Sequence, residues 1–203
     1  SYEFSDSSIT VDSSYNDAWD FGSGDFTVEF WYYARSQNIH NSWGRRILST
    51  RDDGYNGGWK IDLQTDGTKI NPAFHSVGDI IEWEYSNGGS STMAQPSAPL
   101  NVWYHMAVVK ESNLAGDLSI NNGKGELRIY RNGIQTAQKN LDISTLTHIN
   151  NSLTIGGHSA SNGCFDGYIA DVHIVKGQAL YTEDFSVPTG PPSVVPETTF
   201  ISS

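Results

Sequence analysis

Glu82 and Glu84, in Ile80-Ile81-Glu82-Trp83-Glu84-Tyr85, are the carboxylates whose spacing comes nearest to hydrolytic chemistry. Two positions apart on a strand they share a face, and a retaining glycosidase needs two carboxylates about 5 Å apart. No Asp stands between two acids at a catalytic spacing, so the pair reads as the solvated side of a strand. Nucleophile and phosphate motifs are missing as well: the chain has no Gly-x-Ser-x-Gly, no phosphate loop and no His-Glu-x-x-His. Cys164 has His158 before it and Asp166 after it, but a lone Cys usually packs as a small apolar residue. His105 falls inside a strand pattern, where a hydrogen-bonded core role is expected. His40, His75, His148, His158 and His173 show no metal-binding spacing. The expectation is a protein that binds and does not catalyse.

Two loops carry binding chemistry. Arg51-Asp52-Asp53-Gly54-Tyr55-Asn56-Gly57-Gly58 gathers two carboxylates, an amide oxygen and backbone carbonyls, the hard oxygen ligands that calcium takes. Asp52, Asp53 and Asn56 are therefore the candidate metal ligands, with Asn162 or Asp166 as further donors. The same residue types beside Gly also make plain turns, since Asn and Asp tolerate left-handed backbone and bond their own chain. Saccharide binding needs aromatic faces beside hydrogen-bonding amides. His40, Asn41, Trp43, Tyr55, Asn56 and Asn162 lie in or beside polar Gly/Asn loops and form the candidate ligand-binding set. Trp31, Trp59, Trp83 and Trp103 sit inside strand patterns and read as packing.

Strands must position these loops. In Asp25 to Tyr33, Phe26, Val28, Phe30 and Tyr32 alternate with Thr27 and Glu29, the period-2 pattern of a half-buried strand. Residues 45–51, 59–64, 79–85, 103–110, 126–131, 134–139, 152–156 and 168–175 read likewise, with Trp59, Ile61 and Leu63 opposing Lys60, Asp62 and Gln64. Asn132-Gly133 between Leu127–Arg131 and Ile134–Thr136 predicts a type I′ hairpin, because both turn positions need positive φ. Only 143–148 and 178–185 could form even a single helical turn. Many short strands with no helices to cover a parallel sheet predict an all-β, two-sheet antiparallel sandwich. No repeat of roughly 20–50 residues is visible, which disfavours propellers and solenoids.

Composition narrows the partners. Among 203 residues, 12 basic against 23 acidic side chains give a net charge of −11, which repels nucleic acid and anionic lipid. One Cys excludes an intrachain disulfide or a multi-cysteine metal site. No apolar run is long enough to span a membrane, and the start, Ser1-Tyr2-Glu3-Phe4, lacks signal-peptide features and an initiator Met, as in a processed or excised chain. Four of the seven prolines fall in Pro188–Pro196, so 188–203 reads as an extended arm or linker, leading to a further module or lying on a neighbouring subunit, after a domain of 1–187.

Three ordered blocks carry a resemblance: Gly24-Asp25-Phe26-Thr27-Val28-Glu29-Phe30-Trp31; then Trp103-Tyr104-His105-Met106-Ala107-Val108-Val109 with Leu127 to Gly133; then Leu153-Thr154-Ile155-Gly156-Gly157 with Phe165 to Val172. Together they resemble the concanavalin A-like, laminin G-like domains, and Val175 to Phe185 looks like the versions in bacteriophage virion proteins and bacterial surface proteins. The resemblance implies a jelly-roll sandwich used for glycan or protein contact, sometimes with calcium at a rim. The connection from Val109 to Leu127 is longer than that pattern expects, either a functional loop or a tolerated insertion. The glucanases of the same fold use a Glu-x-Asp-x-x-Glu strand, which Glu82 and Glu84 do not reproduce. The expected function is a lectin-like surface module on a virion or outside a cell, contacting glycans or a host receptor and other virion or surface-protein subunits, with homo-oligomers possible. A purely architectural virion protein is the alternative, and a glycoside hydrolase a weaker one.

Overall fold

The computed structural model describes residues 1–5, 7–11, 18–22, 24–36, 45–50, 58–63, 70–76, 79–82, 99–112, 125–140, 152–157, 164–189 and 198–201, with the backbone alone for 70–76, 79–82, 139–140 and 198–201. The strands are β1 (Tyr2–Phe4), β2 (Ile9–Val11), β3 (Phe26–Ala34), β4 (Arg45–Ser49), β5 (Trp59–Leu63), β6 (Ile70–Ser76), β7 (Asp79–Glu82), β8 (Trp103–Glu111), β9 (Glu126–Arg131), β10 (Ile134–Asn140), β11 (Leu153–Ile155), β12 (Gly167–Lys176) and β13 (Thr198–Ile201). They form two sheets, β1-β12-β3-β8-β9-β10 with β13 also on β12, and β2-β11-β4-β5-β6-β7. Neighbouring strands run antiparallel, as in β3 with β8 and β4 with β5. This is the expected jelly-roll sandwich.

Alternation builds the core. Phe26, Val28, Phe30 and Tyr32 of β3 face Trp59, Ile61 and Leu63 of β5 across the layer, joined by Met106, Val108, Leu127, Ile129, Ile169 and Ile174. Phe21 stacks on Phe26 with centroids 4.2 Å apart and meets Trp59 at 5.2 Å. Trp59 packs as expected, and its buried indole donates to the Trp19 carbonyl at 2.8 Å, which satisfies the one polar atom it carries inward. The hairpin also forms as expected: Asn132 and Gly133 have φ of 51° and 79°, and Ile134 pairs with Arg131.

Other elements depart from the sequence pattern. β1 and β2 have three residues each, too few for an alternation to register. β6 contains Pro72 yet lies between β5 and β7, with Pro72 opposite Ile61; a proline argues against an interior strand because it donates nothing to the ladder. Gln178 to Phe185 makes no helical turn. It crosses the outer face of the seven-stranded sheet as a strap, because the sheet supplies better partners than a helix would: Thr27 Oγ1 donates to the Gln178 carbonyl and accepts from Leu180 N, and Phe185 N donates to the Gly133 carbonyl at 2.8 Å. The turn requires Gly133 for a second reason, since a Cβ there would run into the Phe185 carbonyl. In the proline-rich arm, Thr198–Ile201 pairs with Val172–Val175 of β12, end to end with β1, so these residues lie on this chain's own sheet.

Candidate functional site

β4 organises the candidate loops. Segment 37–44, carrying His40, Asn41 and Trp43, leaves after Ser36 and returns at Arg45; segment 158–163, carrying Asn162, leaves after Gly157 and returns at Cys164. Both sets of anchors meet at the Arg45 end of β4, where Cys164 bridges Arg46 and Phe165 N donates to the Gly156 carbonyl at 2.8 Å. His40, Asn41, Trp43 and Asn162 themselves lie outside the described residues.

Asp166 ties this end together. Its Oδ1 accepts from Arg35 Nε at 3.0 Å and lies 2.9 Å from Arg35 Nη2, while Oδ2 accepts from Ser36 Oγ at 2.5 Å and faces Arg45 Nη1 at 3.9 Å. Arg45, almost wholly buried, also donates to Ser36 Oγ at 3.2 Å. Arg35 continues outward to the Glu3 carboxylate and the Phe4 carbonyl, linking β1 to the same cluster. Burial opposes the charge on Asp166, but Ser36, Arg35 and Arg45 outweigh it and hold its carboxyl below the usual range. Asp166 was a candidate calcium donor by sequence. Two guanidinium groups and a hydroxyl now occupy its oxygens, and their positive charge works against a divalent cation.

The calcium candidates hang from the other end of β4. Segment 51–57 leaves after Thr50 and returns at Gly58, about 16 Å along an extended strand from the Arg45 end. Asp52, Asp53, Tyr55 and Asn56 fall within it and lie outside the described residues. Its base is closed tightly: Trp59 N donates to Thr50 Oγ1 at 3.0 Å, and Gly58, at φ 78°, leaves no room for a side chain against Thr50. The single rim expected from sequence is thus anchored at two ends of β4. Among the described residues no group of three or more His, Cys, Asp or Glu could hold a metal ion.

Sequence reading missed two buried polar clusters, each on an outer sheet face. On β4 and β5, Asp62 lies opposite Arg46, 3.4 Å from its Nε, and receives Lys60 Nζ at 2.5 Å; Asp62 and Lys60 are only 2% and 5% exposed. Alternation correctly turned them away from the core but could not show that this outer face is covered. On β3, Glu29 meets His173 Nδ1 at 2.6 Å, His105 Nε2 at 3.2 Å and the Tyr181 hydroxyl at 2.9 Å, all beneath the strap. His105 therefore has the hydrogen-bonded interior role expected of it. Burial alone would raise the Glu29 pKa, but the hydrogen bonds from His105, His173 and Tyr181 bring it down to about 2. Burial and then the Glu29 carboxylate push the Tyr181 phenol upward. The Glu29 cluster is enclosed, so its chemistry is structural. Glu82 ends β7 and Glu84 lies outside the described residues.

Two strand tryptophans do not pack inward. Trp103 is 38% exposed and Trp31 is half-buried, both on the outer face of the seven-stranded sheet. Trp103 lies opposite Tyr33, and Tyr33 opposite Tyr168.

Known structures share this architecture. A candidate carbohydrate-binding protein from Bacteroides ovatus matches over 87% of this chain and 43% of its own, with 17% identity and a TM-score of 0.57. Domain 4 of an extracellular arabinanase from Geobacillus stearothermophilus, solved with arabinotriose, matches over 80% and 65% at 15% identity and a TM-score of 0.53. The binding domain of a paraclostridial mosquitocidal protein matches over 88% and 43% at 19% identity and a TM-score of 0.53. The chain thus spans less than two thirds of the length of each. No curated protein matches by sequence. The model of the concanavalin A-like lectin/glucanases superfamily called Laminin_G_3 matches residues 5–184, nearly the whole sandwich, and the chain belongs to that family.

Proposed function

We propose that this chain is a non-enzymatic, lectin-like module that holds saccharides at the Arg45 end of β4. The observation that carries the reading is the Asp166 cluster, which braces Ser36 and Arg45, the anchors of segment 37–44, against the strand that follows Cys164, the anchor of segment 158–163. Rigid anchors lower the ordering cost of binding, and the sequence between these anchors carries the aromatic and amide residues His40, Asn41, Trp43 and Asn162. Solved relatives of the same fold include the arabinotriose-bound domain and the candidate carbohydrate binder. Tyr55 and Asn56, anchored at the far end, would make a separate contact. No hydrolytic step is assigned, because the strand of Glu82 and Glu84 lacks the glucanase pattern. The module would work on a virion or another extracellular surface, beside other subunits of that surface.

A glycan array probed with the full chain in calcium tests the reading; specific retention of a saccharide is expected, and a blank array would overturn it. Calcium belongs to the same proposal. Asp52, Asp53 and Asn56 are residue types that offer calcium hard oxygen donors, and they fall between Thr50 and Gly58, whose neighbourhood is closed by the Trp59 N to Thr50 Oγ1 bond. Adding calcium should raise the melting midpoint by several degrees over a chelated sample, and identical midpoints would reject the site.

A further inference from the structure

We propose that the bare half of the seven-stranded sheet's outer face is a saccharide-stacking platform continuous with the Arg45 end. The inference rests on the saccharide reading above and adds a second contact surface to it. Trp103, Tyr33, Tyr168 and Glu3 occupy one row across β8, β3, β12 and β1, since each is the register partner of the next. The three rings pack on one another as a tilted triad, Trp103 to Tyr33 at 5.6 Å and 52°, Tyr33 to Tyr168 at 5.8 Å and 65°, and Trp103 to Tyr168 at 6.3 Å and 37°, which gives a faceted rather than a flat surface. Trp31 stands two residues along β3 and meets the edge of His105 at 5.3 Å, where Phe185 of the strap also ends at 5.9 Å. The strap's ring contacts reach the His105 row, and beyond it Trp103 is 38% exposed while Trp31, Tyr33 and Tyr168 are half-buried.

The polar groups beside the rings are fixed. Arg35 lies over the Tyr168 ring, 5.3 Å from its centroid, while Glu3 and Asp166 hold the guanidinium in place. Arg35 also shares Asp166 with Ser36 and Arg45, the anchors of segment 37–44, which ties the row to that end of β4. Aromatic surface for the C–H side of a sugar and the exposed Glu3 carboxylate for its hydroxyls are what saccharide recognition requires.

Two observations select the occupant. The row is small: with Trp103 at 38% and the other three rings only half-exposed, the four show less than about 400 Å² in total. A stable protein interface takes about 800 Å² per partner, so the row fits a short oligosaccharide better than a second subunit. The net charge of −11, with Arg35 already paired, opposes acidic sugars and a second copy of this chain, and favours a neutral saccharide.

Titration of the full chain with neutral gluco-, xylo-, galacto- and arabino-oligosaccharides tests the proposal. A sugar that binds wild type should weaken at least about tenfold in Trp103→Ala and Tyr33→Ala at an unchanged melting midpoint. Trp103→Phe should recover most of the affinity, and Ile134→Ala, distant on the hairpin, should not alter it. A sugar lost on Trp43→Ala but indifferent to Trp103→Ala and Tyr33→Ala would overturn the platform and leave the lectin-like reading standing. No binding by wild type, here or on the array, would overturn both. Self-association that Trp103→Ala abolishes would overturn the platform in favour of an interface between copies.

Discussion

The outer face of the seven-stranded sheet is two surfaces laid on one ladder. At one end the strap from Gln178 to Phe185 covers Thr27, Glu29, Ala107, Tyr130 and His173, and these residues are as inaccessible as the core between the sheets. At the other end the same strands carry Trp31, Tyr33, Trp103 and Tyr168, where Arg35 lies over Tyr168 and Trp103 is 38% exposed. Strand alternation assigns all of these residues to one face. A covering segment far along the chain decides which of them become interior: it seals Glu29 and His173 together with Ala107 and Tyr130, and leaves Trp31, Tyr33, Trp103 and Tyr168 partly in reach of solvent. The sealed half can keep its charge only because Glu29 has three partners.

The contrast can be broken most strongly at the point that holds the strap down. Gly133→Ala, at φ 79° and against the Phe185 carbonyl, should destabilise the fold by about 4 kcal/mol and free the strap, seen as a fall in denaturation midpoint and faster amide exchange at Ala107 and Tyr130. Glu29→Gln should cost about 3 kcal/mol, since it leaves buried histidines short of a charged partner. Its pH signature sharpens the prediction. A carboxylate pKa lowered from 4.5 to about 2 gives a contribution that is complete above pH 4.5 and fades as the pH falls toward 2. Acid titration of wild-type stability should show that loss, and Glu29→Gln should lack it. Phe185→Ala removes a half-buried ring stacked on Tyr181 at 3.6 Å and should cost about 2 kcal/mol in a denaturant titration. Trp103→Ala, on the open half, should change stability by less than about 1 kcal/mol. A large loss there would mean that the two halves are not different after all.

How much of this was legible in sequence follows from the range of the forces involved. The strands with long alternating runs, β3, β5, β8, β9 and β12, could be read because each repeats its pattern over several residues. β1 and β2 could not, being three residues long, and Pro72 concealed β6. Asn132-Gly133 was readable because its backbone demand is local. The Asp166 cluster was not, because Arg35 and Asp166 are 131 positions apart and nothing local pairs them. Trp59 shares its face with Ile61 and Leu63 and fills the core, whereas Trp103 shares its face with His105 and points outward at 38% exposure, a difference of phase that strand membership alone does not convey.

By itself, then, the sequence determined the class: an acidic, all-β sandwich without disulfides, its period-2 runs and turn residues acting over neighbours only. Tertiary structure decided what each face became. It divided the candidate loops between two ends of β4, drew Asp166 into a cationic clamp, sealed Glu29 beneath the strap and left the aromatic row open. Those outcomes depend on which distant segments come to lie over which strand, and that is set by the burial and pairing of the whole chain.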